Sequence, residues 1–357
     1  MRNFSLQAIV RGALLVLLAG GFLLPLVGDA AAREVVDMVG RRIDLPEPLQ
    51  RVYVASPPEN HLSCMIDPSL MVGLNFPLKD RDRKYLPLDL WRLPVIGGFF
   101  GLGHTPNLEV LLRTKPQLVI CWQKNAIDAQ FDDFLKRSGI PVAYMTLEAL
   151  QDYPRDIRAM GRLLGRPRRA EELAVYAEET LRQILPKVAD IPKSERVRVY
   201  YAEGADGLST DGRGTWHAEL IDLAGGLNVH EGDVEDLYGM EKVSMEQVLL
   251  YRPEVILVQD PTFFQRIYAS PQWRRVPAVK NRRVYLIPRI PFNWFDRPPS
   301  FMRLLGLKWV ARILYPQRFP LDIGQEMREF YRLFLRSELT AEDIRIILEK
   351  PQGENHG

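Results

Sequence analysis

Several side chains in this sequence are of types that bind small molecules. The rings of Trp216, Trp294 and Phe295 could stack on a flat macrocycle or a catecholate, although a place in the hydrophobic core would explain them equally well. Three histidines could coordinate a metal ion held by a chelator, and they are His61, His104 and His217. A lone histidine near a helix start is more often a cap or a surface residue. These residues predict a ligand site but leave its ligand open.

Two arginines could hold an anionic ligand. Arg213 lies between two glycines at the entrance to a predicted helix, where backbone N–H groups and a guanidinium can converge on an anion. Residues 210–215 around it could cradle a bare oxyanion such as molybdate or tungstate. Arg297 lies in a loop rich in proline and aromatic residues. A solvated loop charge is the alternative explanation of each arginine.

Motifs of catalysis are absent from the sequence. There is no Gly-x-Ser-x-Gly elbow, no His-Glu-x-x-His pair and no acidic cluster attached to a glycine loop. The chain has five histidines, one of them in the C-terminal tail, which makes a metallo-hydrolase improbable. We therefore expect a protein that is not an enzyme and has no intrinsic cofactor, with an exported enzyme as the alternative.

The composition predicts a globular protein with two domains. A chain of 357 residues with 46% hydrophobic and 10% aromatic residues can fill two cores. The net charge is +2, and Lys and Arg are dispersed among acids, so nucleic acid is not expected as a partner. The two cysteines, Cys64 and Cys121, could pair in an exported chain, or Cys121 could be a buried small hydrophobe.

The N-terminus has the pattern of a secretory signal peptide. Arg2 and Arg11 form a positive region, residues 12–27 are apolar, and small residues precede Arg33. The apolar run is shorter than the roughly 20 residues of a spanning helix, and Pro25 interrupts it. We expect cleavage near Ala32 and a periplasmic location. An uncleaved N-terminal anchor is the alternative, and it also places the remainder outside the cytoplasm.

A long helix and a sequence repeat organise the rest of the chain. Apolar residues recur every three or four positions from Pro167 to Val188, which predicts a helix about 30 Å long. Residues 107–120 align without a gap on residues 244–257. Each copy has an N-cap residue (Asn107, Ser244), a Glu in the first turn, a basic residue followed by Pro, and a buried strand.

This arrangement predicts an α/β fold of two similar Rossmann-like lobes joined by the long helix, with a ligand cleft between the lobes. We expect a signal peptide over residues 1–32, lobes over 33–166 and 191–315, the inter-lobe helix over 167–190, and a helical C-terminal tail over 316–357. In detail, residues 71–74 are expected to form a strand, and a helix is expected from Trp216 to Leu223.

The two repeat units, together with the segment Gly225-Gly226-Leu227-Asn228-Val229, resemble periplasmic substrate-binding proteins of ABC importers for iron complexes and cobalamin. The likeness extends from about Val52 to Leu314. The loop from Asn293 to Ser300 is similar to the aromatic loop of the cobalamin-binding branch. The resemblance implies a rigid inter-lobe helix and one surface glutamate on each lobe that docks onto arginines of the permease. By motif match these are Glu109 and Glu246. The alternative is that each is merely a favourable helix-start residue, but their occurrence at the same position of both copies favours docking.

The ligand should contact loops at the carboxyl ends of the strands, between the lobes. The ligand-binding residues that we expect are His61, Phe99, Phe100, His104, Arg213, Trp216, Tyr238, Trp294, Phe295 and Arg297. His61 stands where the family often has Glu, which leaves the ligand class open.

The resemblance implies a monomeric, non-catalytic protein that carries an iron complex or related metal chelate to a permease dimer with its ATPase subunits. The chelate could be a ferric siderophore, haem or a corrinoid. The alternative within the same fold is a molybdate- or tungstate-type oxyanion. A receptor sensing module shares the fold but would need a spanning segment and an output domain after Ala32, and the sequence provides neither.

Overall fold

The computed structural model describes residues 32–99, 105–122, 129–232 and 239–348. The expected signal peptide, apart from Ala32, and the expected ligand residues Phe100, His104 and Tyr238 lie outside these ranges. Among the described residues, no helix combines the length and the apolar character needed to cross a membrane.

The first lobe is built on a parallel three-stranded sheet in which β4 (Leu118–Trp122) lies between β3 (Val52–Val54) and β5 (Val142–Met145). Its strands are short, and the residues of β3 and most of β4 are fully buried, as expected for a parallel sheet covered on both faces. The elements of this lobe are β1 (Ala32–Val36), β2 (Arg42–Pro46), β3 (Val52–Val54), α1 (Pro57–Ile66), α2 (Leu108–Thr114), β4 (Leu118–Trp122), α3 (Ala129–Ser138), β5 (Val142–Met145) and α4 (Tyr153–Leu163).

The second lobe contains a parallel four-stranded sheet and an antiparallel pair. The order in the sheet is β11 (Val284–Leu286), β10 (Val255–Val258), β6 (Arg198–Ala202) and β8 (Leu227–Asn228), and the pair is β7 (Ser209–Thr210) with β9 (Glu241–Lys242). All four residues of β10 are buried between β6 and β11. After the inter-lobe helix α5 (Pro167–Ala189), the elements are β6 (Arg198–Ala202), β7 (Ser209–Thr210), α6 (Glu219–Leu223), β8 (Leu227–Asn228), β9 (Glu241–Lys242), α7 (Met245–Tyr251), β10 (Val255–Val258), α8 (Pro261–Arg266), α9 (Pro277–Lys280), β11 (Val284–Leu286) and α10 (Arg303–Leu314).

The inter-lobe helix α5 is confirmed, and it has 23 residues. The residues that it buries are those of the predicted apolar stripe, from Leu173 and Ala177 to Ile184 and Val188. On its outer face Arg158 of α4 joins Glu171 and Glu178 by ion pairs of 2.7 and 2.5 Å. One face is therefore core and the other is solvated, as the helical period predicts.

The two repeat units have the same local structure. The side chains of Asn107 and Ser244 cap α2 and α7 by accepting hydrogen bonds from the backbone three residues on. Each seven-residue helix ends at a basic residue in the left-handed conformation, Lys115 or Arg252, both with φ 47°. A proline follows, and then a buried strand at the centre of its sheet. The predicted repeat is confirmed.

The C-terminal tail packs against both lobes and the inter-lobe helix. It consists of α11 (Ile323–Phe330), a π-helical turn (Tyr331–Leu335) and α12 (Ala341–Leu348). The Phe334 ring stacks on Phe301 of the second lobe with centroids 5.3 Å apart. Arg336 donates a hydrogen bond to the Ile66 carbonyl of the first lobe (3.0 Å), and Arg169 of α5 donates one to the Leu333 carbonyl.

Two predicted elements differ in the structure. Residues 71–74 form isolated bridges from Met71 to Val52 and from Leu74 to Val95, so the predicted strand is wrong. The helix expected from Trp216 starts three residues later, at Glu219, because Trp216 lies in a turn. No disulfide joins the two cysteines, which are buried in separate clusters of the first lobe.

Candidate functional site

Two tryptophans from different lobes face each other where the lobes meet. Trp122 is the last residue of β4, and Trp216 follows β7 in the second lobe. Their ring centroids lie 5.8 Å apart with the planes tilted by 40°, and both residues are half-buried. This is the region outside the carboxyl ends of parallel strands where α/β proteins bind ligands. The pair therefore marks a candidate ligand site.

Hydrogen bonds fix one member of this pair and leave the other with an unused donor. Trp122 Nε1 donates to Glu148 Oε1 at 3.0 Å. Trp216 Nε1 is buried and finds no hydrogen-bond acceptor among the described residues. A buried N–H without an acceptor is costly, so a ligand oxygen placed there would be bound favourably.

A single buried arginine is connected by hydrogen bonds to both tryptophans, directly to Trp216 and through Glu148 to Trp122. Arg303 of α10 is fully buried and forms an ion pair with Glu219. Its Nη1 donates to the Glu148 carbonyl, and its Nη2 donates to the Trp216 carbonyl, both at 2.8 Å. Glu148 also binds Trp122 through its side chain, so the guanidinium is connected to both rings.

A second aromatic contact joins the lobes at α1. The His61 ring stacks on Phe292, with centroids 4.0 Å apart and an angle of 24° between the planes. Burial lowers the pKa of His61 to about 3, so the imidazole is neutral at pH 7. Its Nδ1 has no hydrogen-bond partner among the described residues. His61 is thus brought to the lobe junction as a buried, uncharged ring.

A buried ionic network lies beside Trp216 in the second lobe. Arg297 forms ion pairs with Glu203 and, at 2.6 Å, with Asp211. His217, whose ring centroid lies 4.2 Å from that of Trp216, places Nδ1 2.6 Å from Asp296 Oδ2. Asp296 Oδ2 is also 3.6 Å from Arg297 Nε.

Neighbouring charges set the protonation of this network. Burial alone would lower the pKa of His217, but Asp296 raises it overall. Burial would raise the pKa of Asp296, yet His217 and Arg297 lower it. Burial and the adjacent Asp211 both raise the pKa of Glu203, which favours its protonated form. The raised pKa of His217 and the lowered pKa of Asp296 therefore both favour an imidazolium–carboxylate pair, next to an arginine that contacts acidic side chains.

The same network offers the donor set of a metal site. Ligand atoms of Asp211, His217 and Asp296 all lie within 4.8 Å of one another. The Arg297 guanidinium, however, already supplies positive charge between the two aspartates. A metal ion would enter only if this side chain moved away.

The remaining predicted residues lie apart from the tryptophan pair. Trp294 and Phe295 are fully buried, so they are core residues in this conformation and present no face to a ligand. Phe99 is buried too, with its ring edge against Phe131. Their apolar types could not distinguish a stacking role from a core role, and the structure places them in the core.

Arg213 lies at the edge of the second sheet. It forms an ion pair of 3.0 Å with Glu231 and lines a cavity of about 550 Å³ together with Arg198 and Leu227, residues that begin β6 and β8. In the segment 210–215, Thr210 and Thr215 are buried. This cavity is bordered by the starts of strands, whereas the tryptophan pair lies beyond their carboxyl ends.

Sequence reasoning missed Trp122, Glu148 and Arg303. Trp122 carried a usable signal, since it directly follows the apolar run of the first repeat and so ends a central strand. Nothing in the sequence marked Arg303, because its partners are 84 to 155 residues away along the chain.

The glutamates of the two repeat helices are on the surface. The Glu109 side chain is 74% exposed and forms a 2.5 Å ion pair with Arg113. Glu246 is exposed as well, and a backbone N–H and the Ser244 hydroxyl lower its pKa. Both occupy the first turn of their helices.

Comparison with known proteins agrees with this architecture. A family model described as periplasmic binding protein matches residues 100–291, more than half of the chain. The chain belongs to this periplasmic binding protein family. The expected family and the two-lobe α/β fold are thereby confirmed.

Relatives of this periplasmic binding protein include one close structural match. An ABC transporter solute binding protein from Sulfurospirillum deleyianum has a TM-score of 0.83 and 39% identity, over 88% of this chain and 98% of that chain. The molybdate-binding protein MolA of Haemophilus influenzae is 25% identical, over 86% of this chain and 92% of its own length. A vitamin B12-binding protein of Vibrio parahaemolyticus is also 25% identical, over 59% and 72%.

Proposed function

We propose that this protein is the substrate-binding component of an ABC importer and that it captures a metal chelate with a flat organic part. A ferric siderophore, haem or a corrinoid fits this description. The observation that carries the proposal is the Trp122–Trp216 pair at the lobe junction, with an unused buried donor on Trp216. The relatives named for vitamin B12 and for ABC transport of solutes support it.

The spacing of the two rings suits a flat ligand. A planar group held between two indoles needs about 7 Å, twice a van der Waals contact of ~3.5 Å. The centroids are 5.8 Å apart and the planes are tilted by 40°, so such a group would enter after a lobe opening of about 1–2 Å that also turns the rings towards parallel. Because an indole N–H lies in the plane of its ring, Trp216 Nε1 would donate to an oxygen beside the ring edge, on a part of the chelate that is not stacked.

An oxyanion is the second candidate because MolA is similar over most of both chains. Its expected site was Arg213 with residues 210–215. In this conformation Arg213 is paired with Glu231, and Arg297 is bound by acidic side chains. Binding of an oxyanion at either arginine would have to compete with those carboxylates, which favours the chelate as the first candidate.

Ligand titration distinguishes the two candidates. The ligand-free protein would be titrated with ferric hydroxamate, ferric catecholate, haem, cyanocobalamin, molybdate and tungstate, with calorimetry and tryptophan fluorescence as readouts. We expect one of the chelates to quench the fluorescence and to bind. Trp216→Ala should weaken this binding about 10-fold, given ~0.5–1.5 kcal/mol for an aromatic pair beyond the area that it buries.

A matched control is Trp91→Phe, since Trp91 packs on Arg83 within the first lobe. Binding of molybdate or tungstate with no response to any chelate would replace the first candidate by the second. Equal effects of the Trp216 and Trp91 variants would remove the tryptophan pair from the site.

Delivery completes the proposed function. Glu109 and Glu246 would dock on arginines of a permease dimer, whose ATPase subunits drive import. The protein would act as a monomer without a resident cofactor, exported by a signal peptide cleaved near Ala32.

Charge reversal at both glutamates should abolish transport and leave ligand affinity unchanged. Mass spectrometry of the secreted protein would locate its N-terminus.

A further inference from the structure

The two repeat helices differ at one exposed position. The gap-free alignment of the repeats places Arg113 of α2 opposite Leu250 of α7. In the first lobe, Arg113 forms the 2.5 Å ion pair with Glu109, four residues before it. In the second lobe, Leu250 occupies that place relative to Glu246 and cannot neutralise it. No ion pair to Glu246 is formed within the part of the chain that the structure describes.

Leu250 is unusually exposed for a leucine. Its exposed fraction is 73%, compared with 46% for Leu112 on the first repeat helix. Residues four apart on a helix lie about 5–6 Å from each other, so Glu246 and Leu250 form one surface. That surface combines a carboxylate with an apolar side chain in water, so it is complementary to a partner that carries a cation beside an apolar group.

A concave surface adjoins the same helix. Gln247 and Tyr251 of α7 line the cavity of about 550 Å³ at the sheet edge, with Leu227 and Val229 on its wall. If a loop of the partner covered Leu250, one of its side chains could enter this cavity. The second lobe thus presents charge, apolar area and a cavity together.

We infer that the two lobes dock unequally and that the Glu246–Leu250 surface provides the larger share of the binding. This inference rests on the proposed docking to an ABC permease. The partner surface that fits is one of its subunits, with an arginine and an apolar side chain about one helical turn apart. Glu109 contributes less because a permease arginine must first displace Arg113.

The test measures binding of the full-length mature protein to its cognate permease–ATPase complex in nanodiscs. Leu250→Arg should weaken binding about 10-fold or more, and Glu246→Lys at least as much. Glu109→Lys should weaken it only a few-fold, whereas Arg113→Leu should strengthen it. Leu88→Arg is the matched control, since Leu88 is 68% exposed in the first lobe.

Three outcomes are decisive. If the wild-type protein neither binds the complex nor stimulates its ATPase, the proposed function fails. If it binds but the Glu109 and Glu246 variants weaken binding equally, or if Leu250→Arg behaves like Leu88→Arg, only the unequal docking is wrong. If light scattering shows that Leu250→Arg converts a dimer into a monomer, the occupant is a second copy of this chain, and the inference is overturned.

Discussion

The Glu148 carbonyl of the first lobe lies 2.8 Å from Arg303 Nη1 of the second lobe. The same guanidinium binds the Trp216 carbonyl and Glu219, and Glu219 in turn accepts a hydrogen bond from the Leu150 backbone at 2.8 Å. Two contacts between the lobes, from Arg303 to Glu148 and from Leu150 to Glu219, therefore depend on one buried charge. The spacing of the tryptophan pair depends on it as well.

Replacement of this arginine should destabilise the protein strongly. We expect Arg303→Met to lower the free energy of unfolding by about 3–5 kcal/mol, because Glu219 would lose the cation that compensates its burial. Urea denaturation followed by circular dichroism measures the change. Arg158→Met is the control: its ion pairs join half-exposed glutamates, and its loss should cost at most about 1 kcal/mol. Similar losses for both variants would contradict the role assigned to Arg303.

Glu59 should make stability decrease as the pH rises. It is buried in α1, accepts a 2.7 Å hydrogen bond from Ser56, and has its pKa raised by burial to about 8. The folded state therefore holds a proton that the unfolded chain loses near pH 4.5. The stabilisation is complete below pH 4.5 and is lost as the pH rises through 8.

Thermal unfolding at pH 5.5 and 8.5 tests this prediction. Glu59→Gln should show a smaller loss of Tm between these pH values than the wild type. Glu179→Gln, on the exposed side of α5, should behave like the wild type. Asp156 and Glu203 are also buried acids with raised pKa values, so the difference between variants is the informative quantity.

His61 should make stability decrease as the pH falls, which is the opposite of the effect of Glu59. Since burial lowers its pKa to about 3, the unfolded chain takes up a proton near pH 6.5 that the folded protein does not. Stability is thus lost as the pH falls from 6.5 towards 3. His61→Phe keeps a ring to stack on Phe292 but cannot take up a proton. Between pH 8 and pH 5 the free energy of unfolding of the variant should therefore rise by about 2 kcal/mol relative to that of the wild type. A pH-independent difference would show that His61 titrates normally.

Asp343 should hold the end of the tail on the first lobe. It accepts hydrogen bonds from Lys84 (2.6 Å) and Tyr85 (2.9 Å), and it caps α12 together with Thr340. We expect Asp343→Ala to cost about 1–3 kcal/mol, because it leaves the hydroxyl of the buried Tyr85 without this acceptor and removes the cap of α12. Hydrogen exchange should rise in α12 and around Tyr85. Glu342→Ala, which removes an exposed pair with Arg345, is the control on the same helix.

Local signals predicted much of the fold. Asn107 and Ser244 cap their helices as expected, and the basic residues before each proline end them. The apolar stripe on α5 could be predicted because its residues recur every three or four positions along the chain. In each case the deciding interactions lie within a few residues along the chain.

The site depended on distant partners and was harder to predict. Arg297 forms its two shortest ion pairs with acids 86 and 94 residues away, and only Asp296 lies beside it in the sequence, so most of the compensation of its charge was not visible there. Trp216 and Trp294 are the same residue type in similar loops, yet one lies at the lobe junction and the other is in the core. Which tryptophan lies at the lobe junction follows from tertiary packing alone.

The tail that packs on both lobes affects the order in which the protein folds. Lys84 meets Asp343 across 259 residues, and Ile66 meets Arg336 across 270. Contacts between residues so far apart in the sequence form late in folding, after α12 is available. The first lobe precedes α12 in the sequence, yet its surface around Lys84 is not covered until α12 packs on it. A chain truncated before Arg336 would fold with the surfaces around Lys84 and Ile66 exposed to water.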